Sequence, residues 1–573
     1  MARHTVSDLD HLLSDRDGDG AAFSPAALAR LDRAEEFPGE ACAALDRFGI
    51  QQFYVDSRFG GRLTDYSELL ELLRTVAGHD LTVAVAHGKT FLGSVPTWIA
   101  GTPEQAERLA AEILDGAVVC WALTEPGHGG DLLAGELSAR PVDEESGRRR
   151  LDGQKWLINN ATRSRFVCVL ARTSPAGQAR GFSLFLVDKR TLAEDSFHTV
   201  PKIPTHGIRG ADISGIVFDG AEVDGSALIG EVGSGLETVL KALQLTRTMC
   251  AALSLGAADH GLRLAATYTA GRHLFGHTLA DLPHVRAILG EAVATVLTAE
   301  VVSVVAARSV HALPAEMSVV SAVVKALVPT LIQEMLERLA ELMGVRSFLT
   351  EDYEEGAFAK LERDHRIVAI FDGSTPVNRT RLVEHFPILG RAYEAGRADT
   401  GAVAVAASLC AELPPFDAGR LRVVSARGSS VMQDLPRAVR SLHERAPASL
   451  AALADELLEA AGDLHRELRE HRPAGRDVPQ ASLDLAEKYE LCFAGAAALQ
   501  VWLAESARPE SGSALWSGAL WVEGVLTLVL RRLGRDRDAG EVYGRLAAVL
   551  LATPGLTPPS LLPAKPLPAA AVG

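Results

Sequence analysis

Aromatic residues are scarce in this chain. Phe, Trp and Tyr together make up 5% of 573 residues, although hydrophobic residues reach 47%. The interior must therefore be built mostly from Ala, Leu and Val, a composition that favours helices over sheet. Cysteine is thin as well: the six, at 42, 120, 168, 250, 410 and 492, are scattered and form no CxxC pair. That spacing argues against a disulfide framework and against a zinc site. Positive charge is in deficit, with 57 Lys and Arg against 73 Asp and Glu and a net charge of −16. Such a surface repels nucleic-acid phosphates unless a basic patch intervenes. The short runs Arg148–Arg150 and Arg531–Arg532 sit among polar or acidic neighbours and read as solvated faces, so no nucleic-acid partner is expected.

A long uninterrupted apolar run is also missing. The most apolar stretch, LWSGALWVEGVLTLVL, carries Glu523 and is followed by two arginines. It reads as a buried or interfacial helix, not a membrane span. The opening MARHTVSDLDHLLSDRDGDG is acidic and has no apolar segment of the signal-peptide type, so a soluble, cytoplasmic protein is expected.

A chain of this length should divide into about three or four units. Residues 1–117 read as helical, with Ser24 and Thr102 as caps before Pro25 and Pro103. From 118 to 225 the texture is β: AVVCWALTE, FVCVLART, GFSLFLVDK and ISGIVFDG are short β-rich runs between turn residues, and the spacing predicts an antiparallel domain. Helical periodicity returns over 226–395, where Val285, Ile288, Leu289, Ala292 and Val296 share one face. A helical extension follows over 396–573, broken at EHRPAGRDVPQ and closed by a Pro-rich tail predicted to be extended or disordered. The fold class expected is mainly α with a β middle domain.

Several segments could carry chemistry. CWALTEPGHGGDLLAG holds Thr124, Glu125 and glycines at 127, 129 and 130, a loop whose amides can approach a phosphate. No GxGxxG opens a helix after a strand, so a dinucleotide-binding Rossmann unit is excluded. His128 in that loop reads as an exposed loop histidine. Then come LDGQKWLINNATRSRF, GIRGADISGIVFDGAEV, GRHLFGHTL and IFDGSTPVNR. In the last, Asp372-Gly373 is a strong turn dipeptide, and Thr375 before Pro376 reads as an N-cap, the helix continuing through Val377, Leu382 and His385.

In this order and spacing, the segments over residues 20–395 resemble the acyl-CoA dehydrogenase flavoproteins. TEPGHGGD is similar to the family's flavin loop TEPGxGSD, DGQKWLIN to GxKxWITN, GIRGADISGIVFDGAEV to GxRxSDTxxxxFxxVxVP, GRHLFG to RxxFG, and IFDGSTPVNR to IYEGTxxIxR. The resemblance implies a helical N-terminal domain, a β middle domain and a C-terminal helical bundle, with FAD between domains and across a homodimer interface. It assigns Thr124, Gly129, Gly130, Leu157, Asn159, Gly344 and Ser374 to the cofactor, with Arg272 and Phe275 reaching the partner subunit's FAD. Arg247 and Gly373 are implied at the substrate, an acyl thioester of CoA or acyl carrier protein. An electron acceptor such as electron-transfer flavoprotein follows from the same likeness. The extension is placed as in very-long-chain acyl-CoA dehydrogenases, where it covers a tetramerisation surface.

The sequence departs from the family pattern at several points. Gly130 replaces a serine, Trp156 comes one residue early so that Leu157 takes its place, and Asn159 stands where a threonine faces flavin N5. The GGxG turn is reduced to MGVR around Gly344. Family chemistry desaturates the thioester: a carboxylate removes the α-proton while flavin accepts hydride from the β-carbon. Asp372 stands at the base position. At the alternative position on an earlier helix, LTRTMCAA offers Thr246 before Arg247, so no second carboxylate competes. Asp is one methylene shorter than Glu and sets the carboxylate ~1.5 Å further back. A nitroalkane oxidase of the same fold, which uses an aspartate base, is the rival reading, with related amine monooxygenases and a non-catalytic relative beside it.

Overall fold

The computed structural model of the protein describes residues 5–562 apart from 16, 144–145, 176–177, 179, 275, 473–476 and 507–513. The chain forms two compact units, essentially Leu9–Thr246 and Arg247–Gly573.

In the first unit, the N-terminal helices start where capping residues stand. Asp65 caps Tyr66–His79 and Asp80 caps Leu81–Ala100, each through a backbone amide of the first turn. Thr102 and Gln105 form a reciprocal capping box on Pro103–Leu114, whereas Ser24 precedes Pro25–Ala34 without a side-chain bond. Helix Leu81–Ala100 is buried nearly all round. A Cβ on its Gly93 would lie 2.8 Å from Val119 Cγ1, so only glycine lets the helix approach the sheet this closely.

Eight strands follow: β1 (Val119–Ala122), β2 (Ser138–Pro141), β3 (Arg149–Asn159), β4 (Phe166–Arg172), β5 (Phe182–Asp188), β6 (Phe197–Val200), β7 (Ile213–Val223) and β8 (Leu228–Ile229). Their order is β6-β7-β3-β2-β4-β5-β8, and β1 pairs with β4. The expected antiparallel domain is therefore a mixed sheet, because β1 and β2 both run parallel to β4. The chain between β1 and β4 supplies the crossover that parallel pairing demands, which a local pattern of short strands does not reveal. Strand β4 is buried on both faces. Val167 and Val169 pack with Leu151, Phe185 and Phe218, while Cys168 and Leu170 meet Leu184, Ile229 and the first turns of helix Gly235–Gly271.

The second unit is a helical bundle of Pro283–Ala312, Met317–Met343 and Thr375–Ala395 with the rest of Gly235–Gly271, and the extension packs upon it. Helix Pro283–Ala312 and the helical stretch Pro314–Phe348 are long and apolar enough to cross a membrane, but 89% of each apolar window is buried inside the unit. They are core helices here. Helix Leu520–Arg532 is buried from Leu520 to Leu530, as its composition led one to expect. A Cβ on Gly290 would lie 1.9 Å from Tyr543 O, so the extension's last long helix seats directly on the bundle.

Buried carboxylates fasten the extension. Glu300 accepts from Ser560 Oγ and Leu561 N at 2.5 and 2.7 Å, and Glu316 accepts from Ser430 N and Oγ at 2.7 and 2.6 Å. Burial pushes the Glu316 carboxyl up to about 7. The tail expected to be extended or disordered is thus held at residues 560 and 561, and residues 563–573 lie outside the described ones.

One buried histidine gives this unit an acid sensitivity. His365 is fully enclosed, with Nδ1 at 2.9 Å from Gln333 Oε1 and Nε2 at 2.9 Å from Ser254 Oγ, a pattern satisfied by the neutral ring. Burial, aided by Lys325, pushes it down to about 3 from the ordinary 6.5. The unfolded chain therefore takes up a proton that the folded one refuses, so stability is complete above pH 6.5 and falls as pH drops towards 3. The slope expected from this ring alone is ~1.4 kcal/mol per pH unit at its steepest. Urea titrations of wild type and His365→Gln between pH 7 and 5 check it: the variant, whatever its stability at pH 7, should lose less on acidification.

Candidate functional site

In the first unit the glycine-rich loop after β1 is stapled at its base. Glu125 accepts from Glu136 N at 2.7 Å and Leu137 N at 3.1 Å, and Lys155 Nζ donates to Glu125 Oε1 at 2.8 Å and Leu123 O at 2.9 Å. Both side chains are buried, at 1% exposure for Lys155 and 7% for Glu125. Burial opposes ionisation of Glu125, but Lys155 and the two amides outweigh it and hold the carboxyl below its usual range. Burial likewise draws Lys155 down, against Glu125. With its two ends joined in this way, the loop leaves Gly127, Gly129 and Gly130 exposed, and nothing lies within 4 Å of where a Cβ on Gly127 or Gly129 would stand. His128, expected as an exposed loop histidine, is half-buried with Nε2 3.4 Å from Glu136 Oε1.

Thr124 is zipped to β3: its Oγ1 donates to Trp156 O at 2.8 Å, and Trp156 N donates to Thr124 O at 3.0 Å. Strand β3 then slips register against β7 between Trp156 and Ile158. The skipped residue is Leu157, in left-handed backbone at φ 57° and 45% exposed. A leucine there is strained and exposed at once, a combination that clusters at functional sites. Asn159 donates from Nδ2 to Val85 O at 3.3 Å, while its buried Oδ1 has no partner. Neighbouring Asn160 takes φ 63° and anchors to Ala86 O at 2.7 Å.

In the second unit the loop before helix Thr375–Ala395 holds two consecutive left-handed residues, Asp372 at φ 54° and Gly373 at φ 95°. Arg247 Nε donates to Asp372 O at 2.8 Å, and Asn378 Nδ2 donates to Gly373 O at 2.8 Å and Ser374 O at 3.0 Å. A Cβ on Gly373 would sit 2.8 Å from an Arg247 terminal nitrogen, so glycine is required both by φ and by space. The Asp372 carboxylate faces Cys250, whose Sγ lies 3.3 Å from Oδ2. Arg247 itself is buried, and burial together with Arg381 pushes it down to about 10. The cap differs from expectation: Ser374 is the N-cap, without a side-chain bond, and Thr375 is the first helical residue with its Oγ1 unpartnered. Asn378 instead braces the loop ahead of the helix, donating to its carbonyls and not capping the first-turn amides.

Asp372, Gly373, Ser374 and Arg247 thus converge on one loop. Arg272 follows helix Gly235–Gly271, its backbone bonded to Tyr268 O and its Nε without a partner. Gly344 ends helix Met317–Met343 at φ 59° with open space around it. Phe275 lies outside the described residues. Sequence reading missed Lys155, Cys250 and Asn378. Lys155 lay in the quoted GQK triplet, but a lysine inside a strand reads as solvent-facing until its partner is seen. Cys250 announces itself only through a contact 122 residues along the chain, and Asn378 only once the turn before it folds and sets the carbonyls of Gly373 and Ser374 within its reach.

These residues fit FAD. An exposed glycine loop with free space over its backbone suits a pyrophosphate, the Leu157 bulge offers backbone at the sheet's rim, and the unpartnered Arg272 Nε is a donor suited to phosphate oxygens. From the first unit, the chain would hold the cofactor with Thr124, Gly129, Gly130, Leu157 and Asn159.

Comparison with known proteins bears on the same segments. Residues 120–221 match the profile "Acyl-CoA dehydrogenase, middle domain", and residues 233–386 match "Acyl-CoA dehydrogenase, C-terminal domain". A probable acyl-CoA dehydrogenase of Mycobacterium leprae is 26% identical over 359 residues, covering 61% of this chain and 88% of that protein. Among solved structures, butyryl-CoA dehydrogenase from Megasphaera elsdenii superposes with a TM-score of 0.60 at 23% identity, over 66% of this chain and 98% of that one. An acyl-CoA dehydrogenase complexed with FAD from Bacillus anthracis reaches a TM-score of 0.71 at 18% identity, over 95% of this chain and 94% of that one. The fold of the extension is therefore shared as well.

Proposed function

We infer the reaction from the family to which this chain belongs, the FAD-dependent acyl-CoA dehydrogenases, and propose that it desaturates an acyl thioester at the α,β bond with Asp372 as base. The observation that carries the assignment is the loop of Asp372. Its two left-handed residues are held from one side by Arg247 and from the other by Asn378, and the carboxylate faces Cys250. Strained backbone that is fixed on both sides is the form a positioned base takes.

FAD, when bound, supplies the acceptor for the hydride that leaves the β-carbon. The chain's own residues do the rest. Asp372 takes the α-proton, Arg247 fixes the carbonyl of that residue and so the direction of its side chain, and Cys250 orients the carboxylate by a weak hydrogen bond. Thr246, the residue before Arg247, has no carboxylate, so Asp372 acts alone. The shorter side chain favours a substrate that penetrates further towards the loop.

Asp in place of Glu also supports a second reading, an oxidase acting on a nitroalkane or amine. Flavin bleaching under anaerobic conditions separates the two. Reduction by at least one of a panel of short to long acyl-CoA or acyl carrier protein thioesters is expected, with nitroalkanes inert. Reduction by nitroalkanes alone, with rapid reoxidation by oxygen, would discard the thioester reading.

For the assembly we propose a cytoplasmic homodimer that passes electrons to a carrier such as electron-transfer flavoprotein. The exposed Val345 and Phe348 beside Gly344, at 69% and 86%, give apolar surface for a subunit contact. A yellow protein that sediments as a dimer agrees with this, and a yellow monomer does not.

A further inference from the structure

The helix that begins directly after the Asp372 loop is gripped by the extension along one face. Its residues 379, 386, 390 and 393 follow helical spacing, and each meets the extension. Arg379 forms a two-oxygen pair with Glu490, Nε to Oε1 and a terminal nitrogen to Oε2, both at 3.1 Å, and bonds Glu487 Oε2 at 2.9 Å. The Phe386 and His471 rings meet edge-on at 5.1 Å, a Cβ on Gly390 would lie 2.5 Å from Arg469 N, and the Tyr393 and His465 rings stack at 3.8 Å.

Of these anchors, the first is nearest the helix start, one residue past the opening turn Thr375–Asn378. Glu490 is fully buried there, and Arg379 retains 13% exposure. The next residue back is Asn378, which holds the carbonyls of Gly373 and Ser374. Glu490 therefore fixes Arg379, Arg379 fixes the opening turn, and that turn carries the amide that fixes the loop. The loop's left-handed residues are conformations that persist only when their surroundings impose them.

We propose that Glu490 is a positioning residue for the Asp372 carboxylate, so that the extension contributes to catalysis through the Arg379 ion pair. This rests on Asp372 being the base. Displacement of a reacting group by 1 Å can cost ~100-fold in rate. Loss of one anchor among three on the loop should cost a part of that, ~10-fold.

The test uses the full-length holoenzyme and an acyl-CoA that reduces it. Glu490→Gln keeps shape and removes charge. It should lower the limiting rate of flavin reduction ~10-fold while KM and FAD content stay within ~2-fold, a split that loosened packing alone would not give. Glu490→Asp should restore part of the rate. Arg379→Met and Glu490→Leu should each be slow, and the double variant no slower than either, because both act through one pair. Should Glu490→Gln fail to fold, the uncharged double variant leaves no buried charge unpaired and carries the rate measurement instead. Wild-type reduction in Glu490→Gln or in the double variant, with Asp372→Asn inactive, overturns this proposal alone. Wild-type reduction in Asp372→Asn overturns the base assignment beneath it.

Discussion

Asp372→Asn should bind FAD and acyl-CoA as the wild type does, yet reduce its flavin ~10²–10⁴-fold more slowly, the range typical of a lost general base. The amide is nearly isosteric with the carboxylate, so the loop held by Arg247 and Asn378 should survive the change. What it loses is the capacity to accept a proton. Asp372→Glu is the sharper variant: its extra methylene carries the carboxylate ~1.5 Å further forward, away from the position in which Cys250 holds it. An enzyme built around the aspartate should slow without losing activity. Stopped-flow reduction under anaerobic conditions measures both, and an unaltered rate in Asp372→Asn would return this residue to plain turn chemistry.

Lys155→Met should have the largest effect on stability. It leaves the Glu125 carboxylate buried beside two amides without its cation, and breaking a buried pair from one side costs ~3–5 kcal/mol. At ~2–4 °C per kcal/mol for a unit of this size, Tm should fall by about 10 °C. The glycine loop should also lose its anchor, so FAD should be released at lower temperature than in the wild type. Lys155→Met combined with Glu125→Gln should recover part of the loss, because no charge is then left uncompensated. Differential scanning with flavin fluorescence follows both transitions. An unchanged Tm in the single variant would show that Glu125 finds its compensation elsewhere.

Much of the architecture was open to reading along the chain. Periodic Ala, Leu and Val marked the helices, Thr102 before Pro103 marked a start, and short β-rich runs between turn residues marked the sheet, since these signals depend on neighbours within one or two turns. The parallel pairing of β1 with β4 was not legible, because two patterns of alternation do not say which strands meet or in which direction. The mistaken cap at Thr375 has a related origin. Ser374 and Thr375 are equally good capping types, and residue type alone does not say at which of them the helical backbone begins.

The sequence by itself determined the composition of the core, the motif order that places a glycine loop ahead of a carboxylate turn, and the resemblance to the acyl-CoA dehydrogenases that those motifs carry. Local propensity and the spacing of a few residue types suffice for that. Tertiary structure alone decided which groups support them. Lys155 became the partner of Glu125, Cys250 the neighbour of Asp372, and Glu490 the anchor of Arg379. These pairings join residues distant in sequence, and a charge or thiol declares its role only when burial removes water as its alternative partner.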